Sequence, residues 1–119
     1  MNDLTQTLKA LSDPTRTTIL AHLSGEDLCV GALATRLSVT HSAVSQHLRI
    51  LREVGLVTGN KRGYWVHYSL ELERVREVSS QFSSWLDQLA SAPQRKCAAG
   101  VCVGSLRRVT SARGRGRKG

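Results

Sequence analysis

The stretch Ala32–Leu70 constrains this chain most, because its pattern predicts a helix, a tight turn, a second helix and a short hairpin in that order. The second helix, over Thr40–Val54 with Thr40 as its expected N-cap, has Val44, Leu48 and Leu51 at helical spacing on one stripe. The opposite face carries polar and charged side chains, which are His41, Ser42, Ser45, Gln46, Arg49 and Arg52. Such side chains read base edges and contact phosphates. Any surface helix has a polar face, but the preceding helix and the basic hairpin favour a reading helix placed in a DNA groove.

Two more helices are predicted before this stretch. Leucines spaced three or four residues apart between Leu4 and Leu11 form a one-sided stripe on a first helix. Asp13 suits the N-cap of a second helix, which is expected to end near Leu23, and Pro14 suits its first position.

The hairpin and a last helix complete the predicted fold. Strands are expected over residues 56–60 and 64–70, with a basic tip at 61–63, and a helix over 71–90 follows. The fold class is therefore mostly α with a small β-hairpin, in the order helix, helix, helix, helix, strand, strand, helix.

The last helix carries apolar residues at 3-4-3-4 spacing, which are Val75, Val78, Phe82, Trp85 and Leu89. This seam can pack on the core of the same chain or pair with the same helix of a second copy. Because the domain is small and also begins with an apolar helix, we predict a homodimer.

Charge divides the chain into two parts. Residues 1–91 carry nine Lys and Arg against nine Asp and Glu, whereas residues 92–119 carry eight Lys and Arg and no acid. We expect a DNA-binding and dimerisation domain over 1–91 and a largely flexible, Cys-containing basic tail over 92–119. The sequence has no long apolar run and no secretory signal, which predicts a cytoplasmic protein with reduced thiols and no membrane partner.

Four segments together resemble the ArsR/SmtB family of winged helix-turn-helix repressors: Leu8–Leu20, Glu26–Leu33, His41–Val57 and Lys61–Leu70. The resemblance covers roughly residues 4 to 90 and keeps the segments in order. It implies a homodimer that represses transcription from a palindromic operator in double-stranded DNA. An inducer, usually a metal or metalloid ion, then lowers the affinity for DNA.

The resemblance also assigns site residues. It places Ser42, Ser45, Gln46, His47 and Arg49 on the recognition helix, beside His41 at its start. It places Lys61, Arg62 and Tyr64 in the wing, which is the hairpin that follows the recognition helix.

The cysteines indicate the inducer. Arsenic-sensing relatives often carry Cys-Val-Cys at the start of the third helix, but this chain has Cys29 followed by Gly31 at the second thiol position. Residues 71–90 contain no histidine, so the zinc-type site of other relatives is not expected there. Soft ions prefer thiolates, which favours arsenite or antimonite, with cadmium or lead as alternatives. The candidate ligands are Cys97 and Cys102, with Cys29 as a third.

Other functions remain open from the sequence. Cys97 and Cys102 could instead bridge on oxidation, which would make the chain a thiol-redox or persulfide sensor. The basic tail could support sequence-blind binding of the nucleoid type. An enzyme is not expected, because no nucleophile-base pair, phosphate-binding loop or closed metal motif is recognisable.

Overall fold

The computed structural model describes residues 2–97. That part of the chain contains five helices and three strands. Their bounds are α1 (Asn2–Leu11), α2 (Pro14–Leu23), β1 (Leu28–Cys29), α3 (Val30–Leu37), α4 (His41–Glu53), β2 (Val57–Arg62), β3 (Trp65–Leu70) and α5 (Leu72–Ser91). The predicted class, mostly helical with a small hairpin, is confirmed.

Local capping explains where α2 and α4 begin. The Asp13 carboxylate accepts the backbone N–H of Arg16 at 3.0 Å, with Pro14 at the first position of α2. The Thr40 hydroxyl accepts the N–H of Ala43 at 3.0 Å. Each contact satisfies a donor that the first turn of a helix leaves unpaired. Both predicted caps are therefore confirmed.

The sheet contains a strand that was not predicted. β1 pairs antiparallel with β3, through Leu28 with Tyr68 and Cys29 with His67, and β2 pairs with the other edge of β3. Only two residues long, β1 shows no alternation that a sequence pattern could reveal.

The tip of the wing also differs from the prediction of residues 61–63. Lys61 and Arg62 belong to β2, and the turn consists of Gly63 and Tyr64, since Arg62 pairs with Trp65. Gly63 has a φ of 65°, which glycine adopts at the first turn residue without steric cost. The expected tip was therefore wrong, and the two cations lie on a strand.

The core lies between α2, α3 and α4, where Ile19, Leu33, Val44, Leu48 and Leu51 are fully buried. The three α4 residues are the predicted inner stripe of the reading helix, and their burial directs its other face outward.

α5 corrects the predicted seam. Val78 is buried and Trp85 is half-buried against the core, so these two residues do not belong to an outward-facing seam. Three residues of the predicted seam are exposed, as are two further leucines of α5. Together they form the α5 apolar stripe, made of Leu72, Val75, Phe82, Leu86 and Leu89. The predicted seam was wrong only for Val78 and Trp85, because the spacing of apolar residues along a helix does not separate two adjoining apolar faces.

A compact unit ends at Leu89, and a second unit begins at Ala90. The tail was predicted to be flexible, but most of it follows residue 97 and lies outside the described residues. Its flexibility stays a prediction. Among the described helices, none is long and apolar enough to cross a membrane.

Candidate nucleic-acid interface

The outer face of α4 is exposed and polar. Ser42, Ser45, Gln46 and Arg49 are all exposed, as is His41 at the start of the helix. The buried inner stripe fixes their direction, so five of the predicted reading residues are available on one element. As contacts to DNA they remain predictions.

Arg49 forms only a weak, exposed ion pair with the carboxylate of Glu53. Its Nε lies 3.6 Å from Glu53 Oε2, and the two side chains are 73% and 64% exposed. An exposed pair of this kind is worth only about 0.3–0.5 kcal/mol. A base edge or a phosphate can therefore replace Glu53 at little cost.

His47 is placed differently from the other predicted reading residues. It is half-buried, and its Nδ1 lies 3.3 Å from Arg16 Nη1 and 3.8 Å from Asp13 Oδ2. These partners lie at the start of α2, so His47 joins α4 to α2 on the inner side of the reading helix. Its role as a DNA contact stays a prediction.

The Asp13 carboxylate in this cluster has a pKa below its ordinary value of 3.8. The main cause is the backbone hydrogen bond from Arg16, and burial acts in the opposite direction. The nearby charges of His47 and Arg16 lower the pKa of Asp13 further. The cluster thus favours a charged carboxylate at the N-terminus of α2.

The wing presents one available cation and two aromatic rings. Lys61 is exposed, whereas Arg62 Nη2 donates to Asp27 Oδ2 at 2.5 Å and so has a partner within the chain. Tyr64 is 98% exposed at the turn and Trp65 is 65% exposed beside it. Trp65 was not among the predicted site residues, although a large aromatic residue next to a hairpin turn was a signal that could have identified it.

An open groove of about 740 Å³ adjoins the start of α4 and is lined by Cys29, His41, Trp65 and His67, among others. The Cys29 thiol is free, and His67, its partner across the strands, has a buried Nδ1 without a hydrogen-bond partner in the described structure. A Cβ on Gly31 would lie 3.6 Å from His41 Cε1, which is an ordinary van der Waals contact.

The three predicted ligand cysteines do not form a site within the described residues. No group of three or more His, Cys, Asp or Glu suited to a metal ion occurs between residues 2 and 97. Cys97 is exposed and disulfide-bonded, so only after reduction does it provide a thiolate. Cys102 lies outside the described residues.

A short helix and a polar-faced helix joined by a tight turn, followed by a projecting hairpin, define a winged helix-turn-helix DNA-binding protein. Residues 13–58 match the family described as bacterial regulatory protein, arsR family. The transcriptional repressor SdpR of Bacillus subtilis is 37% identical over 62 residues, which cover 52% of this chain and 69% of that protein. The chain belongs to the ArsR family of bacterial transcriptional regulators, and it is not an enzyme.

Two further comparisons agree with this assignment. The arsenical resistance operon repressor of Escherichia coli is 48% identical over 67 residues, covering 55% of this chain and 56% of that protein. An ArsR-like transcriptional regulator from Rhodococcus sp. RHA1 has a solved structure with a TM-score of 0.66 and 32% identity, covering 76% of this chain and 89% of the other. The matches to the two curated relatives thus span about half to two thirds of their lengths.

Proposed function

We propose that the chain is a homodimeric repressor that binds a palindromic operator and is released by a thiophilic inducer, arsenite or antimonite, bound by its cysteines. Cadmium and lead are the alternative ions. Because the operator DNA of a bacterial regulator lies in the cytoplasm, the protein acts there.

The observation that carries this proposal is the exposed polar face of α4 beside the exposed wing. Gln46 and Arg49 are residue types that make paired hydrogen bonds to adenine and guanine edges. Lys61 offers a charge for the phosphate backbone. The face therefore supports sequence-specific binding in a major groove, with the wing against the neighbouring backbone.

The α5 apolar stripe supports the dimer. Its five large apolar side chains lie in a row on one exposed helix face, and a row of this length is costly to leave in water. A second copy of α5 can cover it by the self-complementary contact of a twofold dimer. Two reading helices then meet two half-sites about 34 Å apart.

The inducer follows from the chemistry of the chain's donors. Soft trivalent ions prefer thiolates to imidazoles or carboxylates, and the chain contains three cysteines. Among its relatives is a protein named arsenical resistance operon repressor. We infer that reduced Cys97 and Cys102 bind the ion, with Cys29 as the third candidate ligand.

The experiment is a DNA-release titration. Operator DNA is first selected by the protein from a random duplex pool, and its release is followed by fluorescence anisotropy with arsenite, antimonite, cadmium, lead and zinc. A phosphine reductant is used, since a dithiol would compete for arsenite. We expect arsenite to release the wild type but not Cys97→Ser or Cys102→Ser, whereas Cys29→Ser should show a partial or a full defect in release. Normal release of the Cys97/Cys102 double variant would contradict the assigned ligands.

A second candidate is a thiol-redox sensor, and the disulfide at Cys97 favours it. In that case an oxidant or a persulfide, with no ion present, would release the DNA, and the phosphine would restore binding. Release by arsenite under reducing conditions together with indifference to sulfane sulfur would exclude the redox function.

A further inference from the structure

Arg74, near the start of α5, contacts three helices with one guanidinium. Its side chain is only 16% exposed. Nε donates to the carbonyl oxygen of Val54 at 3.1 Å, and Nη2 donates to Asp3 Oδ2 at 2.9 Å and to Thr7 Oγ1 at 3.2 Å. Nη1 donates to Glu77 Oε1 at 2.7 Å. Arg74 therefore joins α1, α5 and the end of α4.

The contact to Val54 occurs where the reading helix ends. Val54 is the C-cap of α4, and the last carbonyls of a helix have no partner within the helix. A cation there also meets the negative end of the helix dipole. Hydrogen bonds to Glu77 and then Asp3 raise the pKa of Arg74, so its charge persists at every working pH.

Gly55, which follows Val54, lies against the side chain of Arg74. Gly55 has a φ of 82°, and a Cβ built there would lie 3.5 Å from Arg74 Cγ and Nε. Backbone contacts also link the two segments, because the N–H of Glu71 donates to the Leu56 carbonyl at 2.9 Å and Val57 pairs with Leu70. These contacts hold the chain just after α4 to the chain just before α5, whereas the planar, multiply bonded guanidinium acts between the helices and restricts their relative rotation.

We propose that Arg74 is a positioning residue that sets the angle between the reading helix α4 and the dimer helix α5. This role rests on the proposed function, in which α5 pairs with its copy and α4 enters DNA. The angle then determines the separation of the two reading helices, which the operator requires to be about one helical turn of DNA. Losing Arg74 makes the dimer tolerant of other separations and weaker at the selected one.

The test compares Arg74→Ala and Arg74→Lys with Arg76→Ala. Arg76 is exposed on the same helix two residues further on, so its replacement removes the same charge without the contacts of Arg74. Three probes are used: the palindrome that wild type selects, a duplex with a single half-site, and palindromes with one base pair added to or removed from the spacer. Circular dichroism melting establishes which variants are folded at the assay temperature.

We expect Arg74→Ala to lose about tenfold in affinity for the selected palindrome, a typical coupling between sites, while affinity for the half-site changes little. Its preference for the selected spacing over the altered ones should disappear. Arg74→Lys keeps the positive charge but not the planar guanidinium, so it should also lose the preference for the selected spacing. If Arg74→Ala is unfolded at the assay temperature, the lysine variant tests the proposal instead. Arg76→Ala should keep the wild-type preference.

Two results would overturn the inference alone. An equal loss on half-site and palindrome would mean that Arg74 supports only the fold of α4, and a retained spacing preference would mean that it does not set the angle. A wild-type protein that selects no sequence with two half-sites would overturn the proposed function, and this inference with it.

Discussion

Replacing Leu86 and Leu89 with alanine is expected to separate the proposed dimer at concentrations where the wild type stays paired. Both residues lie on the α5 apolar stripe, and Leu86 is 43% and Leu89 54% exposed in the single chain. Alanine is the strongest helix former, so the substitutions remove apolar area while α5 keeps its helical conformation.

The magnitude follows from the exposed area. The two fractions together amount to roughly one leucine side chain per subunit, whose burial is worth about 1.5–3 kcal/mol. A twofold interface counts this contribution twice, and the Cβ atoms that alanine keeps reduce it, which leaves about 2–5 kcal/mol per dimer. The dimer dissociation constant should therefore rise roughly 30-fold to several thousandfold.

Sedimentation equilibrium over a range of protein concentrations measures this constant directly. Ile50→Ala is the matched control, because Ile50 is a large aliphatic residue, 36% exposed, that lies on α4 and outside the stripe. Its substitution should leave the dissociation constant at the wild-type value. If the Leu86/Leu89 variant also kept the wild-type constant, the stripe would not be the dimer interface.

Three further outcomes are expected. Gln46→Ala should reduce discrimination between the selected operator and a scrambled duplex by about 1–3 kcal/mol, whereas Lys61→Ala should weaken binding to both duplexes and reduce its salt dependence. If anisotropy titrations showed the same relative losses on the two duplexes for both variants, the assigned roles would be wrong. Because folding lowers the pKa of Asp13, its charge stabilises the fold above pH 3.8, and this stabilisation is lost as the pH falls through the folded-state pKa. Urea unfolding should therefore show a larger difference in the free energy of unfolding between wild type and Asp13→Asn at about pH 7 than at about pH 2.5. Truncation after Gly104 should lower affinity for non-specific DNA and reduce the salt slope, since six cations are removed; an unchanged slope would mean that the tail arginines do not contact DNA.

Features that depend on a few neighbouring residues were predicted correctly. Asp13 with Pro14 and Thr40 mark helix starts, because a cap acts within three residues of itself. The buried stripe of Val44, Leu48 and Leu51 followed from helical periodicity, and the exposed face of the reading helix followed from that stripe.

Features that depend on a distant partner were not predicted. The two-residue strand β1 exists only because β3 pairs with it. The paired residues are 40 positions apart for Leu28 and Tyr68 and 38 for Cys29 and His67, so no local pattern reveals the pairing. His47 has a suitable position on the reading helix, yet its contacts to Arg16 and Asp13 turn it toward α2.

The sequence by itself determined the helix order, the reading face, the charge of the tail and the family, because these rest on periodicity, capping and motif order. Only the tertiary structure decided which face of α5 stays exposed, which cation of the wing is paired, and that Arg74 contacts the end of α4. Each of these depends on groups brought together from distant positions, and Asp3 and Arg74 are separated by 71 residues. Packing in three dimensions selects such partners, and no local rule encodes them.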